Sequence, residues 1–158
     1  MNHQNESGFT LIELIIVIVI VGILSAVAYT SYAQYVRKAN RSDATIALTS
    51  IAQRQERYFT ENLGYATDFG ALFSTVNGSP TTVYIDGSDG NYTSTEHGQD
   101  YKLDLVNATT TAFTLTATAN SVRQRKDAEC RQFFLQQTGA QKAKDASGNE
   151  TTRKCWGG

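Results

Sequence analysis

The stretch that decides the fold runs from Phe9 to Tyr29 and reads FTLIELIIVIVIVGILSAVAY. Glu13 is its one charged residue. About 20 apolar residues in a helix rise roughly 30 Å, which is the thickness of the hydrocarbon core of a bilayer. The rest of the chain has no apolar stretch of comparable length. We therefore predict a single transmembrane helix, with everything after it on one side of the membrane.

Three interpretations of this segment compete. The first is a plain membrane anchor, and the second is a secretory signal peptide that is cut after Ala28. The third is a segment that is processed before its apolar run, between Gly8 and Phe9. A signal peptide has a basic leading region and an apolar core of 7–15 residues. Residues 1–8 contain no Lys or Arg and the apolar run is longer, so the sequence disfavours a signal peptide.

Glu13 needs a partner, because a charge near the centre of a bilayer costs about 2.5 to 3.5 kcal/mol. The apolar segment contains no Lys or Arg. Cleavage after Gly8 would make the amine of Phe9 a cation, and Glu13 follows four residues later on the same helical face. Its carboxylate would then meet that amine, or the amine of a neighbouring copy, at the positive end of the helix dipole.

Residues 8–14, GFTLIEL, followed by the apolar run, resemble the processing site of type IV prepilins. The resemblance implies that residues 1–8 are a leader removed by an inner-membrane prepilin peptidase and that Phe9 is N-methylated. It also implies that Glu13 guides docking of the subunit into a helical filament. The chain departs from the family at Ser7, where a basic residue is usual, and at Thr30, where many pilins have proline. Because Thr30 keeps the N–H that proline lacks, we expect the helix to continue there.

Beyond the apolar segment (9–29), the helix is predicted to continue as an amphipathic half over residues 30–63. Residues at three- and four-residue spacing form one face of it. They are Ala44, Ala47, Leu48, Ile51, Ala52, Gln55, Tyr58 and Phe59. Asn62 and Gly64 are stop signals, since glycine accepts positive φ at a helix end. Residues 64–158 would form a globular head.

Alternating residues in the head predict strands with apolar side chains inward at Tyr101–Leu105 and Phe113–Ala119, and Cys130–Leu135 is a third strand candidate. Turn signals between them favour an antiparallel meander, and we expect a four-stranded antiparallel sheet laid on the amphipathic half of the helix, which is an α+β arrangement. Residues 86–91, DGSDGN, are interpreted as a turn. A calcium loop is the alternative, but the spacing lacks the terminal glutamate of the longer loop.

Cys130 and Cys155 are the only cysteines. An even count in an exported chain predicts one disulfide, whereas a redox site would have C-x-x-C and a zinc site more ligands. QERYF at 55–59, GYAT at 64–67, Cys130 and Cys155-Trp156 resemble PilE-like minor pilins. The resemblance implies a pilin fold in which the cysteines bracket an exposed loop that is often used for contacts.

The net charge of −1 conceals a segregation of charge along the chain. Residues 37–60 have 5 basic and 2 acidic residues, residues 61–110 have 1 and 7, and residues 121–158 have 8 and 4. The basic residues of the last segment are Arg123, Arg125, Lys126, Arg131, Lys142, Lys144, Arg153 and Lys154. They are candidates for contact with the phosphates of DNA or with a partner protein, with Trp156 or tyrosines available for stacking. A solvated surface, or charge complementarity between stacked subunits, is the alternative.

Catalytic chemistry is not indicated. The chain has two histidines, His3 and His97, and no G-x-S-x-G, H-E-x-x-H or P-loop pattern. His97 is flanked by polar residues and glycine and is interpreted as a loop residue. We expect no enzyme activity, no cofactor and no metal site.

The resemblance implies a structural subunit of a type IV pilus, a minor pilin, in a filament used for adhesion, twitching motility or DNA uptake. Its expected partners are other pilin subunits, the prepilin peptidase and the inner-membrane assembly platform. The head would lie in the periplasm before assembly and outside the cell afterwards. The alternatives are a pseudopilin of a type II secretion system and a DNA-binding competence pilin.

Overall fold

A computed structural model describes residues 9–85 and 91–157 of the chain. The predicted leader, with Gly8, and residues 86–90 of the predicted turn lie outside the described residues. The chain divides into two compact units, Met1–Val36 and Arg37–Gly158. In chain order the elements are α1 (Leu11–Asn62), β1 (Thr82–Ile85), β2 (Tyr101–Val106), β3 (Thr114–Ala119), a 3₁₀ turn (Gln124–Lys126), β4 (Gln132–Gln136), β5 (Gln141–Lys144) and α2 (Thr152–Trp156).

Helix α1 is continuous across the two units, so the helix passes Thr30 without a break, as expected. In the first unit, the large apolar side chains from Leu11 to Leu24 are between 46 and 76 % exposed. An apolar surface of this size is stable in lipid or against other protein, because exposing it to water is unfavourable.

The C-terminal end of α1 differs in detail from the prediction. The residue with a left-handed backbone is Leu63, with a φ of 56°, and not Gly64. Gly64 is instead buried, and a Cβ placed on it would lie 3.2 Å from the Cβ of Thr110. A side chain at this position would therefore press against the side chain of Thr110.

The second unit, Arg37–Gly158, includes the C-terminal part of α1 and is called the head from here on. It buries the predicted face of α1. Ala44, Leu48, Ile51 and Gln55 have no exposed surface. Gln55 pairs with the backbone of Ala66, since its Nε2 donates to the carbonyl at 2.9 Å and its Oε1 accepts from the N–H at 2.9 Å. Both polar ends of this buried side chain are thus satisfied.

The sheet has five strands in the order β1-β2-β3-β4-β5, each antiparallel to its neighbours, and not the four predicted. Strand β5 reads QKAK, and only Ala143 is buried, opposite Phe133 of β4. With one apolar residue, β5 lacks the alternation by which strands are predicted. Strand β3 begins at Thr114 and β4 at Gln132, one and two residues after the predicted starts.

The inner face of the sheet and the buried face of α1 share one hydrophobic core. Its largest fully buried members include Tyr101, Phe69, Phe113 and Phe133. Strands β1 to β4 alternate buried and less buried residues, which matches a sheet that is covered on one side.

Both edges of the sheet are covered by neighbouring segments. On β1, Tyr84 exchanges two backbone hydrogen bonds with Thr93, at 2.8 and 3.2 Å. On β5, the N–H of Thr151 donates to the carbonyl of Ala143 at 2.8 Å, and the N–H of Ala143 donates to Oγ1 of Thr152 at 3.0 Å. The indole N–H of Trp156 donates to the carbonyl of Lys142 at 2.9 Å.

The predicted disulfide between Cys130 and Cys155 is present. It ties the start of β4 to α2, and both cysteines are buried. Trp156, which follows Cys155, packs edge-on against Phe133 with ring centroids 6.0 Å apart.

Candidate functional site

The first turn of α1 contains a capping arrangement that the sequence analysis missed. The hydroxyl oxygen of Thr10 accepts a hydrogen bond from the N–H of Glu13 at 3.3 Å, and Oγ1 donates to the Glu13 carboxylate at 3.5 Å. Thr10 and Glu13 form the T-x-x-E signature of a helix start. The sequence thus contains a recognisable helix-start signal at Thr10 and Glu13. Glu13 takes part in this capping arrangement in addition to its predicted role in docking.

Helix α1 is long and apolar enough to cross a membrane, and it is the one such helix among the described residues. Phe9, immediately before it, is 88 % exposed. The ion pair between Glu13 and the amine of Phe9 requires a processed chain, so it stays a prediction.

The eight basic residues predicted as a contact surface fall into two groups. Four are engaged within the head. Arg123 forms an ion pair with Asp100 at 2.7 Å and Lys154 with Glu129 at 2.5 Å. The ammonium of Lys144 lies 5.5 Å from the ring centroid of Phe134, and the guanidinium of Arg131 donates to the carbonyl of Arg125.

The other four are Arg125, Lys126, Lys142 and Arg153. They are exposed, and within the described part of the chain their side chains have no ion pair, hydrogen bond or ring contact. A side chain without an internal partner is free to meet a phosphate without first breaking an interaction. The structure therefore separates four cations that have no side-chain partner, called the available cations below, from four that make contacts within the head.

Arg41, which the sequence analysis did not select, anchors the connection between β3 and β4. Its Nε and Nη2 bind the two carboxylate oxygens of Asp127 at 2.7 and 2.8 Å, and Nη2 also contacts Glu129 at 3.4 Å. The carboxylate of Asp127 hydrogen-bonds the guanidinium and raises the pKa of Arg41, while burial opposes this. Asp127 is 3 % exposed and also accepts from the N–H groups of Glu129 and Cys130. Nothing local in the sequence connects residue 41 with residue 127, which explains the omission.

A second buried polar group joins α1, β2 and the 3₁₀ turn. The side chain of Gln124 donates to the hydroxyl of Tyr101 at 2.8 Å and to the carbonyl of Arg37 at 3.3 Å. Asn40 donates to Gln124 at 3.2 Å and to Asp100 at 2.7 Å. Burial raises the pKa of Tyr101, so its phenol is neutral and remains a hydrogen-bonding group through the physiological range.

Two further residues are placed by the structure. Trp156 is half-buried and uses its indole N–H within the head, so it is not a free stacking platform. His97 lies in an exposed bend, as predicted for a loop residue. Among residues 9–85 and 91–157, no cluster of three or more metal-ligating side chains is present.

Two family models match the chain. Residues 30–134 match the model described as "Type IV minor pilin ComP, DNA uptake sequence receptor". The chain belongs to this family. Residues 3–29 match the prokaryotic N-terminal methylation motif, which covers the predicted processing site and the apolar segment. No curated protein matches the chain significantly.

The type IV minor pilin is therefore a filament subunit, and its family is structural and not catalytic. The family match contains Arg123, Arg125, Lys126 and Arg131 and ends at residue 134, before the other four cations of the predicted surface. The long helix, antiparallel sheet and disulfide of the structure agree with a pilin fold.

Proposed function

We propose that this minor pilin binds duplex DNA and displays it on the filament during DNA uptake. The observation that carries the proposal is the family match over residues 30–134, because that family is described as a DNA uptake sequence receptor. The four unpaired, exposed cations of residues 121–158 provide a means of contact that is compatible with it. Neutralising phosphates with Lys and Arg is the main source of affinity in such complexes.

The first unit supports the proposed role in assembly. We propose that a prepilin peptidase cleaves the chain between Gly8 and Phe9, which removes residues 1–8, and that Phe9 is N-methylated. The subunit then remains in the inner membrane, with its head in the periplasm, until assembly. The assembly platform then transfers it to an extracellular filament, where the exposed apolar side chains of α1 are buried against other pilins. Glu13 would select the register in which its charge is paired.

The proposal assigns the chain no catalytic residue, cofactor or metal. Its mechanism is the burial of apolar helix surface during assembly and the neutralisation of phosphate charge during DNA binding. Adhesion, twitching motility and secretion by a pseudopilus are the competing functions, and none of these requires unpaired cations at the turn and at α2.

The test is binding of the full-length protein in detergent micelles to a fluorescein-labelled duplex of about 24 base pairs. We expect affinity to fall as salt rises, with a slope of log K against log [salt] of about −0.9 for each phosphate contacted. Four available cations set an expected slope of roughly −2 to −4. Binding that is absent at low salt, or that does not depend on salt, would reject the DNA function and leave the filament subunit in place.

A further inference from the structure

The available cations are not equivalent, because two of them share one short element. Arg125 and Lys126 are adjacent in the 3₁₀ turn Gln124–Lys126, whereas Lys142 lies on β5 and Arg153 on α2. We infer that this turn is the phosphate-contacting element of the proposed DNA site, with Arg125 and Lys126 as contacts and buried Gln124 as their positioning residue. The inference rests on the proposed function.

Gln124, the residue immediately before these two exposed cations, has no exposed surface. Both the nitrogen and the oxygen of its side-chain amide are hydrogen-bonded. Nε2 donates to the hydroxyl of Tyr101 and the carbonyl of Arg37, and Oε1 accepts from Asn40. An amide buried in this way is costly to move, because displacement would leave several buried groups unpaired. The turn is thus fixed on β2 and on the part of α1 that belongs to the head.

The turn is also held at its two ends. Before it, the hydroxyl of Ser121 accepts from the N–H of Gln124 at 3.0 Å and donates to Asp100 at 2.6 Å. After it, Asp127 forms a bidentate ion pair with Arg41. Arg131 reaches back to the carbonyl of Arg125, inside the turn. Every segment that flanks the two cations is therefore anchored.

This anchoring has a consequence for binding. A flexible loop must be ordered when it binds, and that ordering subtracts from the affinity, whereas a fixed backbone has already lost its freedom. Arg125 and Lys126 extend from a fixed backbone, so only their side chains need to be ordered on a phosphate. Duplex DNA presents one negative charge per about 1.7 Å of its axis, which allows two adjacent cations to be used together.

The first experiment compares salt slopes for the full-length protein, its R125A/K126A variant and the matched variant K38A/R57A. Lys38 and Arg57 are exposed cations of α1 that lie outside the proposed DNA site and have no side-chain partner among the described residues, so both variants lose two positive charges. We expect R125A/K126A to reduce the magnitude of the slope by about 1.8 and the affinity at 0.1 M salt by roughly 10- to 60-fold. K38A/R57A should change the slope by less than about 0.5.

The second experiment tests Gln124 by a double-mutant cycle. Gln124→Met keeps the length of the side chain and removes its hydrogen bonds. We expect a loss of affinity of about 3- to 10-fold in the wild-type background and less than about twofold in the R125A/K126A background. Thermal melting by circular dichroism checks the fold of each variant. If Q124M does not fold, Tyr101→Phe removes only the hydroxyl that Gln124 contacts and enters the same cycle.

The outcomes separate the inference from the function on which it rests. If wild-type protein does not bind the duplex, the proposed DNA function fails and the inference fails with it. If wild-type protein binds and R125A/K126A keeps its slope, or the control pair changes it equally, the inference is wrong and the DNA function stands. Equal losses from Q124M in both backgrounds would show that Gln124 is structural and not a positioning residue.

Discussion

Glu129 is an exposed carboxylate that brings together two distant parts of the head. Lys154 of α2 lies 2.5 Å from one of its oxygens, and Arg41 of α1 lies 3.4 Å from the other. The hydrogen bond from Lys154 is the largest influence and lowers the pKa of Glu129, and Arg41 acts in the same direction. Glu129 thus links α2 to α1 through charge, next to the disulfide that links α2 to β4.

The lowered pKa of Glu129 predicts a pH dependence of stability. Because the folded-state pKa lies below the unfolded value near 4.5, the unfolded chain binds more protons as the pH falls through this range. The stabilisation from Glu129 is therefore present above about pH 4.5 and lost at lower pH. We expect Glu129→Gln to lower the melting temperature at about pH 6 and to have little effect at about pH 3. Melting curves across this range check it, and parallel curves for the two proteins would contradict the prediction.

At the scale of single elements, the disulfide and α2 together close the β5 side of the head. Cys155 is tied to Cys130, and the segment around it supplies hydrogen bonds to β5 from Thr151, Thr152 and Trp156. Removing the covalent link leaves these contacts to hold the segment by themselves.

We predict that the C130S/C155S variant is less stable by about 3 to 4 kcal/mol, which is the loop-entropy value for a closed loop of about 25 residues. Urea unfolding followed by the fluorescence of Trp156, the one tryptophan of the chain, reports on this segment directly. A reduced wild-type sample should unfold at the same urea concentration as the variant. A loss below about 1 kcal/mol would show that the noncovalent contacts are sufficient.

The same elements show how far the sequence predicts the fold. Helix α1, strands β2 and β3, and the cysteine pair were predicted because periodicity and cysteine count are local signals. Strand β5 was missed because its hydrogen bonds to β4, and not its side chains, define it. The available cations could not be told from the ion-paired ones, since partners such as Asp100 for Arg123 lie 23 positions away in the chain.

At the scale of the whole molecule, the two units differ in burial: the first has exposed apolar side chains, and the second contains the hydrophobic core. Among the described residues, the buried members of the hydrophobic core lie between Ala44 and Cys155, which are all in the second unit. We therefore expect the head to stay folded both when the apolar helix is in lipid and when it is in a filament. Variants in the apolar segment of the helix should then affect assembly and leave the head folded.

We predict that Glu13→Gln reduces incorporation into filaments several-fold while the head stays folded. Glutamine keeps the capping arrangement with Thr10, because the capping box accepts Glu or Gln at this position, so the variant removes only the charge. Immunoblotting of sheared filaments against the membrane fraction measures incorporation.

Glu61→Gln is the matched control, since Glu61 is an exposed glutamate near the other end of the same helix. It should be incorporated like the wild type. Normal incorporation of the Glu13→Gln variant would remove the docking role from Glu13 and leave it as a capping residue.

The hydrogen bonds at the two edges of the sheet limit where a strand of another molecule could add. An edge strand with unpaired N–H and C=O groups can pair with a strand of another molecule. A head with two such edges could therefore add further heads at both edges. Here Thr93 occupies one edge, and Thr151, Thr152 and Trp156 occupy the other. At these positions the edge is already engaged within its own chain, so a strand of a neighbouring subunit cannot pair with it there.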